Sequence, residues 1–355
     1  MRTIVVTSTR PYTGKSGIAL ALIGILADRG LDVGYFKPYG TMPVIVDGVT
    51  SDEDAVYINR ALERPSAQAD VCPVVRSQTF VEQILAGAEP PSHEQVLGAF
   101  GRCSDGRDVM VVEGPTEPAQ GTAAGLSSCT IASLLNARVL LVDRPKPTDL
   151  PEDALAEGAA LGDRLAGLLL NGIHESRLTV ARERVAPFLE SRGFPVFGVL
   201  PYDAALGAVT VAEIVDELGG TVLTAVDRLD DRVETFMVGA MGQDKALRFF
   251  RRKARKAVIT GGDRADVQLA ALETNTRCIV LTGNLPPSVA VTTRAEELGV
   301  PMILVETDTL TAVERMDALI GRMRLHDSGK AARIREIFER DVDVARVLAA
   351  CEIDG

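Results

Sequence analysis

Short apolar runs bounded by polar turns recur through the first two hundred residues, at Thr3–Val6, Val33–Phe36, Val109–Glu113, Arg138–Val142, Gly167–Leu170 and Val196–Leu200, with helix-period stretches between them. Runs this short and without polar alternation read as strands buried on both faces. Their alternation with helices predicts a parallel, doubly wound α/β sheet. Ligands of open α/β sheets sit outside the carboxyl edge of the strands. Polar candidates collect at such ends: the Thr7 to Ser16 turn after the first run, Lys37-Pro38, Glu113-Gly114-Pro115 and Asn171-Gly172. Beyond Tyr202-Asp203 an Ala/Gly-containing connector leads to a helix-like Val211–Leu218 closed by Gly219-Gly220, which places a domain boundary near residue 205. A second, smaller α/β domain is expected over 206–322, with runs at Thr235–Val238, Ala257–Thr260, Cys278–Thr282 and Met302–Val305. Residues 323–355 are expected to form a helical tail carrying one helix, Ala331–Leu348, as a packing or oligomer element.

The turn after the first run contains Ser8, Thr9, Thr13, Gly14, Lys15 and Ser16, and the apolar stretch Ile18–Ala27 follows it. A turn between a strand and a helix gathers backbone N–H groups and a helix N-terminus at one spot, which suits phosphate. Lys15 then reaches the outer phosphates and Ser16 offers a hydroxyl to Mg²⁺. Thr9 stands five residues before Gly14, where the usual spacing has a glycine, so the strand–loop–helix order carries the reading.

A net charge of −11 argues against nucleic acid as a partner. The basic run from Arg248 to Lys256 is read as a solvated helix end, because no aromatic platform accompanies it. No long uncharged apolar span is present and the first residues start a strand without an apolar leader, so a cytoplasmic protein with no membrane contact is expected. Cys72, Cys103, Cys129, Cys278 and Cys351 lack CxxC spacing, and His93, His174 and His326 lie far apart, so reduced thiols and no metal cluster are expected.

These residues also resemble a known family. Over the first two hundred residues the chain is similar to dethiobiotin synthetase. To about residue 322 it looks like the amino-terminal part of long bacterial phosphotransacetylases, a dethiobiotin-synthetase-like P-loop domain followed by a DRTGG domain. The resemblance rests on Val6-Thr7-Ser8-Thr9 through Gly14-Lys15-Ser16, Tyr35-Phe36-Lys37-Pro38, Asp52-Glu53-Asp54, Val112-Glu113-Gly114 and Asn171. In the second domain it rests on Val238-Gly239-Ala240-Met241, Gly262-Asp263-Arg264-Ala265-Asp266 and Leu281-Thr282-Gly283. The resemblance implies ATP as the nucleotide, Mg²⁺ held through Ser16 with Asp54 and Glu113, Asn171 on the base, and Lys15 and Lys37 as catalytic cations on the phosphates. Asp52 is an equal candidate to Asp54, Glu113 has an alternative as a capping acid, and Lys37 has one as a strand-end lysine paired with an acid. Tyr39 to Pro43 and Pro115 to Pro118 depart from the synthetase pattern, which puts substrate recognition in doubt.

The first functional reading is therefore a regulatory or sensory protein. An ATP–Mg²⁺ domain would be coupled to a DRTGG domain that takes a small anionic ligand at Gly262, Asp263 and Arg264, and would act on a partner metabolic enzyme. The alternative is an ATP-dependent ligase that activates a carboxylate or carbamate by phosphoryl transfer. About thirty residues follow the resemblance, so acetyl phosphate synthesis is not expected of the chain. No Gly-x-Cys-x-Gly elbow supports an amidotransferase. A homo-oligomer is expected from the resembling proteins.

Overall fold

The computed structural model describes residues 1–145, 150–321 and 328–353. The chain falls into two compact units, one made of Met1–Tyr202 together with Arg324–Gly355, the other of Asp203–Met323.

The first unit is built on six strands: β1 (Arg2–Ser8), β2 (Val33–Phe36), β3 (Val109–Glu113), β4 (Arg138–Asp143), β5 (Leu165–Ile173) and β6 (Val196–Pro201). They lie in the order β6-β5-β4-β1-β3-β2 and every pairing is parallel. The strands are apolar on both faces because the crossovers cover both faces. The register sets Val6 beside Glu113 and Ser8 beside Val142, so β1, β3 and β4 finish together at one edge. Helix α1 (Lys15–Asp28) follows β1, and Ile18, Leu22, Ile25 and Leu26 are buried along it. Not anticipated from the apolar pattern is a hairpin, Pro43–Val46 with Val49–Asp52, that leads into α2 (Glu53–Ala61). Asp47 (φ 50°) and Gly48 (φ 77°) form its two-residue turn, a sequence signal for a mirror-image turn.

The second unit holds β7 (Thr221–Val222), β8 (Thr235–Val238), β9 (Lys256–Gly261), β10 (Thr276–Thr282) and β11 (Met302–Leu304), ordered β7-β11-β10-β9-β8 with only β7 antiparallel. Period-two alternation divides the core. Ala257, Ile259, Cys278 and Val280 pack into one layer, and Val258, Ile279 and Leu281 into the other. Lys256 corrects the reading of the basic run as wholly solvated. Arg248, Arg251, Arg252, Lys253 and Arg255 are exposed, but Lys256 is the first residue of β9 and fully buried. Its ammonium donates to Thr274 Oγ1 (2.9 Å) and Asn275 O (3.0 Å), and burial pushes its pKa down to about 8.

The expected single tail helix is two, α3 (Ser328–Asp341) and α4 (Val344–Ala350), which return to the first unit. The break has a sheet-edge cause. Val342 bridges Gly198 antiparallel on the outer strand β6, Asp343 N–H donates to Phe197 O (2.8 Å), and the Asp343 carboxylate caps α4 through Arg346 N–H (3.0 Å). A Cβ on Gly198 would lie 2.7 Å from Asp341 O, so only glycine admits this approach. α3 packs along α1, where Arg335 pairs with Asp28. The first residues of the expected tail and His326 lie outside the described residues.

Candidate nucleotide site

β1 ends at Ser8, and the chain turns through Tyr12 (φ 60°) and Gly14 (φ 87°) before α1 begins. Gly14 sits in the left-handed region as the N-cap of α1, a conformation glycine adopts without strain. Thr9 N–H bonds Val142 O and Ile18 N–H bonds Gly14 O. Among the described bonds, no backbone N–H between them donates to a backbone carbonyl. These amides and the start of α1 are thus open to an anion. Thr13 Oγ1, in the same loop, is buried and has no hydrogen-bond partner among the described residues. Asn171, near the end of β5, donates to Thr13 O at 2.7 Å and so braces the loop. Ser8 Oγ bonds Thr116 O (2.8 Å) and Thr7 Oγ1 bonds Pro115 O (3.2 Å), tying the loop after β3 to the strand that carries the phosphate turn.

At the end of β3, Glu113 gathers the site. Its Oε1 accepts from Lys15 Nζ (2.7 Å), Lys37 Nζ (3.0 Å) and Ser16 Oγ (3.0 Å), and its Oε2 from Tyr35 OH (2.9 Å). Ser16 Oγ also lies 2.8 Å from Asp54 Oδ2. Lys37 Nζ reaches Asp52 Oδ1 at 2.6 Å and Asp54 Oδ2 at 3.7 Å. Lys15, Ser16, Lys37, Asp54 and Glu113 therefore meet in one buried cluster. Asp52 and Asp54, indistinguishable in the sequence, differ here. Asp52 caps α2 through Asp54 N–H and Ala55 N–H, and also accepts from Thr41 N–H and Met42 N–H (both 2.9 Å). Asp54 is the acid that meets the Ser16 hydroxyl.

The electrostatics separate the acids further. Burial would raise Glu113, but Lys15 and Lys37 outweigh it and hold the carboxyl well below the usual carboxylate range. Burial pushes Asp54 up to about 6, with Lys37 opposing and Glu113 and Asp52 reinforcing the shift. Lys37 is raised well above an ordinary lysine: burial acts against the charge and the three carboxylates overcome it.

Two residues of this edge were given no role from the sequence. Tyr35 lies two positions before Lys37, and strand alternation puts both on one face, so a signal was there. Asp143 ends β4 one residue beyond the predicted strand; its Oδ1 accepts from Thr9 Oγ1 (2.5 Å), while Oδ2 is buried and has no partner among the described residues. The Gly262-Asp263-Arg264 turn belongs to the second unit. A Cβ on Gly262 would fall 1.6 Å from Leu285 O, so a backbone contact requires that glycine. The Arg264 guanidinium bonds Asp266 through Nε and Nη2 (both 3.1 Å) and Met241 O through Nη2 (2.9 Å).

An Mg²⁺–nucleotide fits the residues present: free loop amides, the unpartnered Thr13 hydroxyl, two lysines, and a hydroxyl and two carboxylates as hard oxygen donors. Among the described residues no three acidic, histidine or cysteine side chains are arranged to cage a metal alone.

Fold and site define a P-loop nucleotide-binding protein. Family models match over most of the chain, an AAA domain at residues 2–210 and a DRTGG domain at 213–319. The chain belongs to this AAA-domain family, as a dethiobiotin-synthetase-like P-loop domain joined to a DRTGG domain, the arrangement of the amino-terminal part of long phosphotransacetylases. It is similar to the phosphate acetyltransferase of Nitrosomonas europaea, 25% identical over 370 aligned positions covering 99% of this chain and 52% of that protein. It is also similar to the ATP-dependent dethiobiotin synthetase BioD of Bacillus subtilis, 25% identical over 230 positions covering 61% and 94% respectively. The chain thus spans about half the length of the phosphate acetyltransferases it matches. Among solved structures it is similar to the MinD cell division protein of Aquifex aeolicus (TM-score 0.36, 16% identity, 58% of this chain and 84% of that one). Among the described residues no helix is long and apolar enough to cross a membrane.

Proposed function

We propose that the chain is an ATP–Mg²⁺-binding regulatory module that controls a partner metabolic enzyme, with the DRTGG domain as its sensing part. The observation that carries nucleotide binding is the cluster in which Lys15, Ser16, Lys37, Asp54 and Glu113 converge beside a loop of free amides. Ser16, Asp54 and Glu113 would hold Mg²⁺, which would neutralise charge on phosphate oxygens. Lys15 would face the outer phosphates, and the N–H groups of Arg10 and of Tyr12 to Ser16, with the Thr13 hydroxyl, would bind the remaining oxygens. The surroundings of Lys37 favour regulation over the ligase reading. Lys37 is only 2% exposed and its ammonium is enclosed by Asp52, Asp54 and Glu113, so it balances the acids and offers little positive charge to a substrate carboxylate or carbamate. The chain's similarity to about half of the Nitrosomonas europaea phosphate acetyltransferase supports a partner that handles acyl phosphates, and the oligomer expected from the resemblance is assigned to the same assembly.

The test is calorimetric titration of the whole chain with ATP and Mg²⁺, followed by turnover measured with a panel of small carboxylates and amines. Lys15→Ala is expected to weaken ATP binding by about 100-fold, the loss of one charge-assisted hydrogen bond to phosphate. Turnover is expected to stay negligible under every addition. Substrate-stimulated turnover that disappears in Lys37→Ala would establish the ligase instead, and wild-type protein that does not bind ATP would remove the whole reading.

A further inference from the structure

Glu113 is held in an unequal way. Its Oε1 takes three donors, from Lys15, Ser16 and Lys37, whereas its Oε2 takes one, the Tyr35 phenol at 2.9 Å. Tyr35 is fully buried in β2, the strand next to β3, and pairs in register with Val111, two residues before Glu113. Lys37 follows β2 directly and stands two positions after Tyr35, so two donors from one extended stretch take the two oxygens of one carboxylate.

We propose that Tyr35 is a positioning residue for metal choice: by occupying Glu113 Oε2 it presents Oε1 alone to the cation. The proposal rests on the Mg²⁺–nucleotide reading above. A carboxylate free to turn both oxygens on a cation offers a narrow two-point grip that flexible, high-coordination Ca²⁺ accepts and octahedral Mg²⁺ tolerates poorly. Fixing one oxygen on a buried phenol removes that option and leaves positions for phosphate oxygens and water. Partners that orient a ligand in this way are worth about 10–100-fold in metal affinity when removed.

The experiment is binding of ATP to the full chain, wild type beside Tyr35→Phe, first in EDTA and then in titrations with Mg²⁺ and with Ca²⁺. Phenylalanine keeps the ring in the core and deletes one hydrogen bond, so the variant is expected to fold. Its metal-free ATP affinity, within about 2-fold of wild type, reports an intact phosphate loop. The expected result is a rise of about 10-fold or more in the Mg²⁺ concentration for half-maximal enhancement, with a smaller change for Ca²⁺, so that the preference for Mg²⁺ narrows. Superimposable Mg²⁺ titrations overturn the proposal. So does a parallel loss of metal-free and metal-dependent affinity, which would make Tyr35 a support of the fold alone. If wild type binds ATP with no response to Mg²⁺, the metal reading fails for both proteins. If wild type responds and Tyr35→Phe matches it, only the role of the tyrosine fails.

Discussion

A chain cut after residue 323 is expected to be recovered mostly as aggregate, and Phe338→Ala in the full chain is expected to lower stability by about 3–5 kcal/mol, the usual cost of removing a buried aromatic side chain. The reason lies in what α3 and α4 cover. Ile334, Ile337, Phe338, Val342, Val347, Leu348, Cys351 and Ile353 are all buried. α3 lies against the back of α1, whose first residues are Lys15 and Ser16. Val342 and Asp343 occupy backbone groups of β6, the outer strand of the sheet, and without them Phe197 O and Gly198 present an open edge, the feature by which sheets aggregate. Arg346 stacks over the Phe197 ring (5.4 Å), and Arg138 donates to Ala350 O (3.0 Å). Urea unfolding of Phe338→Ala and sedimentation of the truncated chain check both statements. A truncated chain that stays soluble and keeps full ATP affinity would show that the tail has no part in the folding of the first unit.

The sheet was legible because parallel strands announce themselves. Val33–Phe36, Val109–Glu113 and Thr235–Val238 lie where the apolar runs place them, since a strand buried on both faces has little freedom to be anything but apolar. The phosphate loop was legible from order, strand then turn then helix, even with Thr9 in the place of a glycine. Less could be read where a role depends on a distant partner. Asp52 and Asp54 are two letters apart and chemically alike, and only the hairpin, which delivers Thr41 N–H and Met42 N–H to Asp52, separates the cap from the acid beside Ser16. Lys256 looked like one more cation in a basic run, and its burial follows from where β9 starts. The break at Val342 was invisible because it answers to Gly198, far away in sequence and on the edge of another element.

Two carboxylates that share the Ser16 hydroxyl are expected to respond to pH in opposite directions. Glu113 has a folded pKa below its unfolded value, so its contribution is complete above about pH 4.5 and is lost only as pH falls toward the depressed folded value. Glu113→Ala is therefore expected to destabilise the metal-free protein by about 3–5 kcal/mol at pH 7, because it leaves Lys15 without its acid and Lys37 with one fewer. Asp54 is the reverse case: its folded pKa, raised to about 6, exceeds the unfolded value of 3.8. Its contribution is present below the unfolded value and is gone once pH has risen through 6, so at pH 7 the ionised group carries a penalty of about 3 kcal/mol. Asp54→Asn is expected to lift much of that penalty, by about 2 kcal/mol at pH 7.5, and to give no advantage at pH 4, while weakening Mg²⁺-dependent nucleotide binding. Urea unfolding of wild type and both variants in EDTA between pH 4 and 8 reads the slopes. If Asp54→Asn is less stable than wild type across that whole range, Asp54 is not a strained acid held in readiness for a cation. If the predicted crossing of the curves appears, the folded protein keeps this carboxylate at a cost to its own stability, which a bound metal ion would offset.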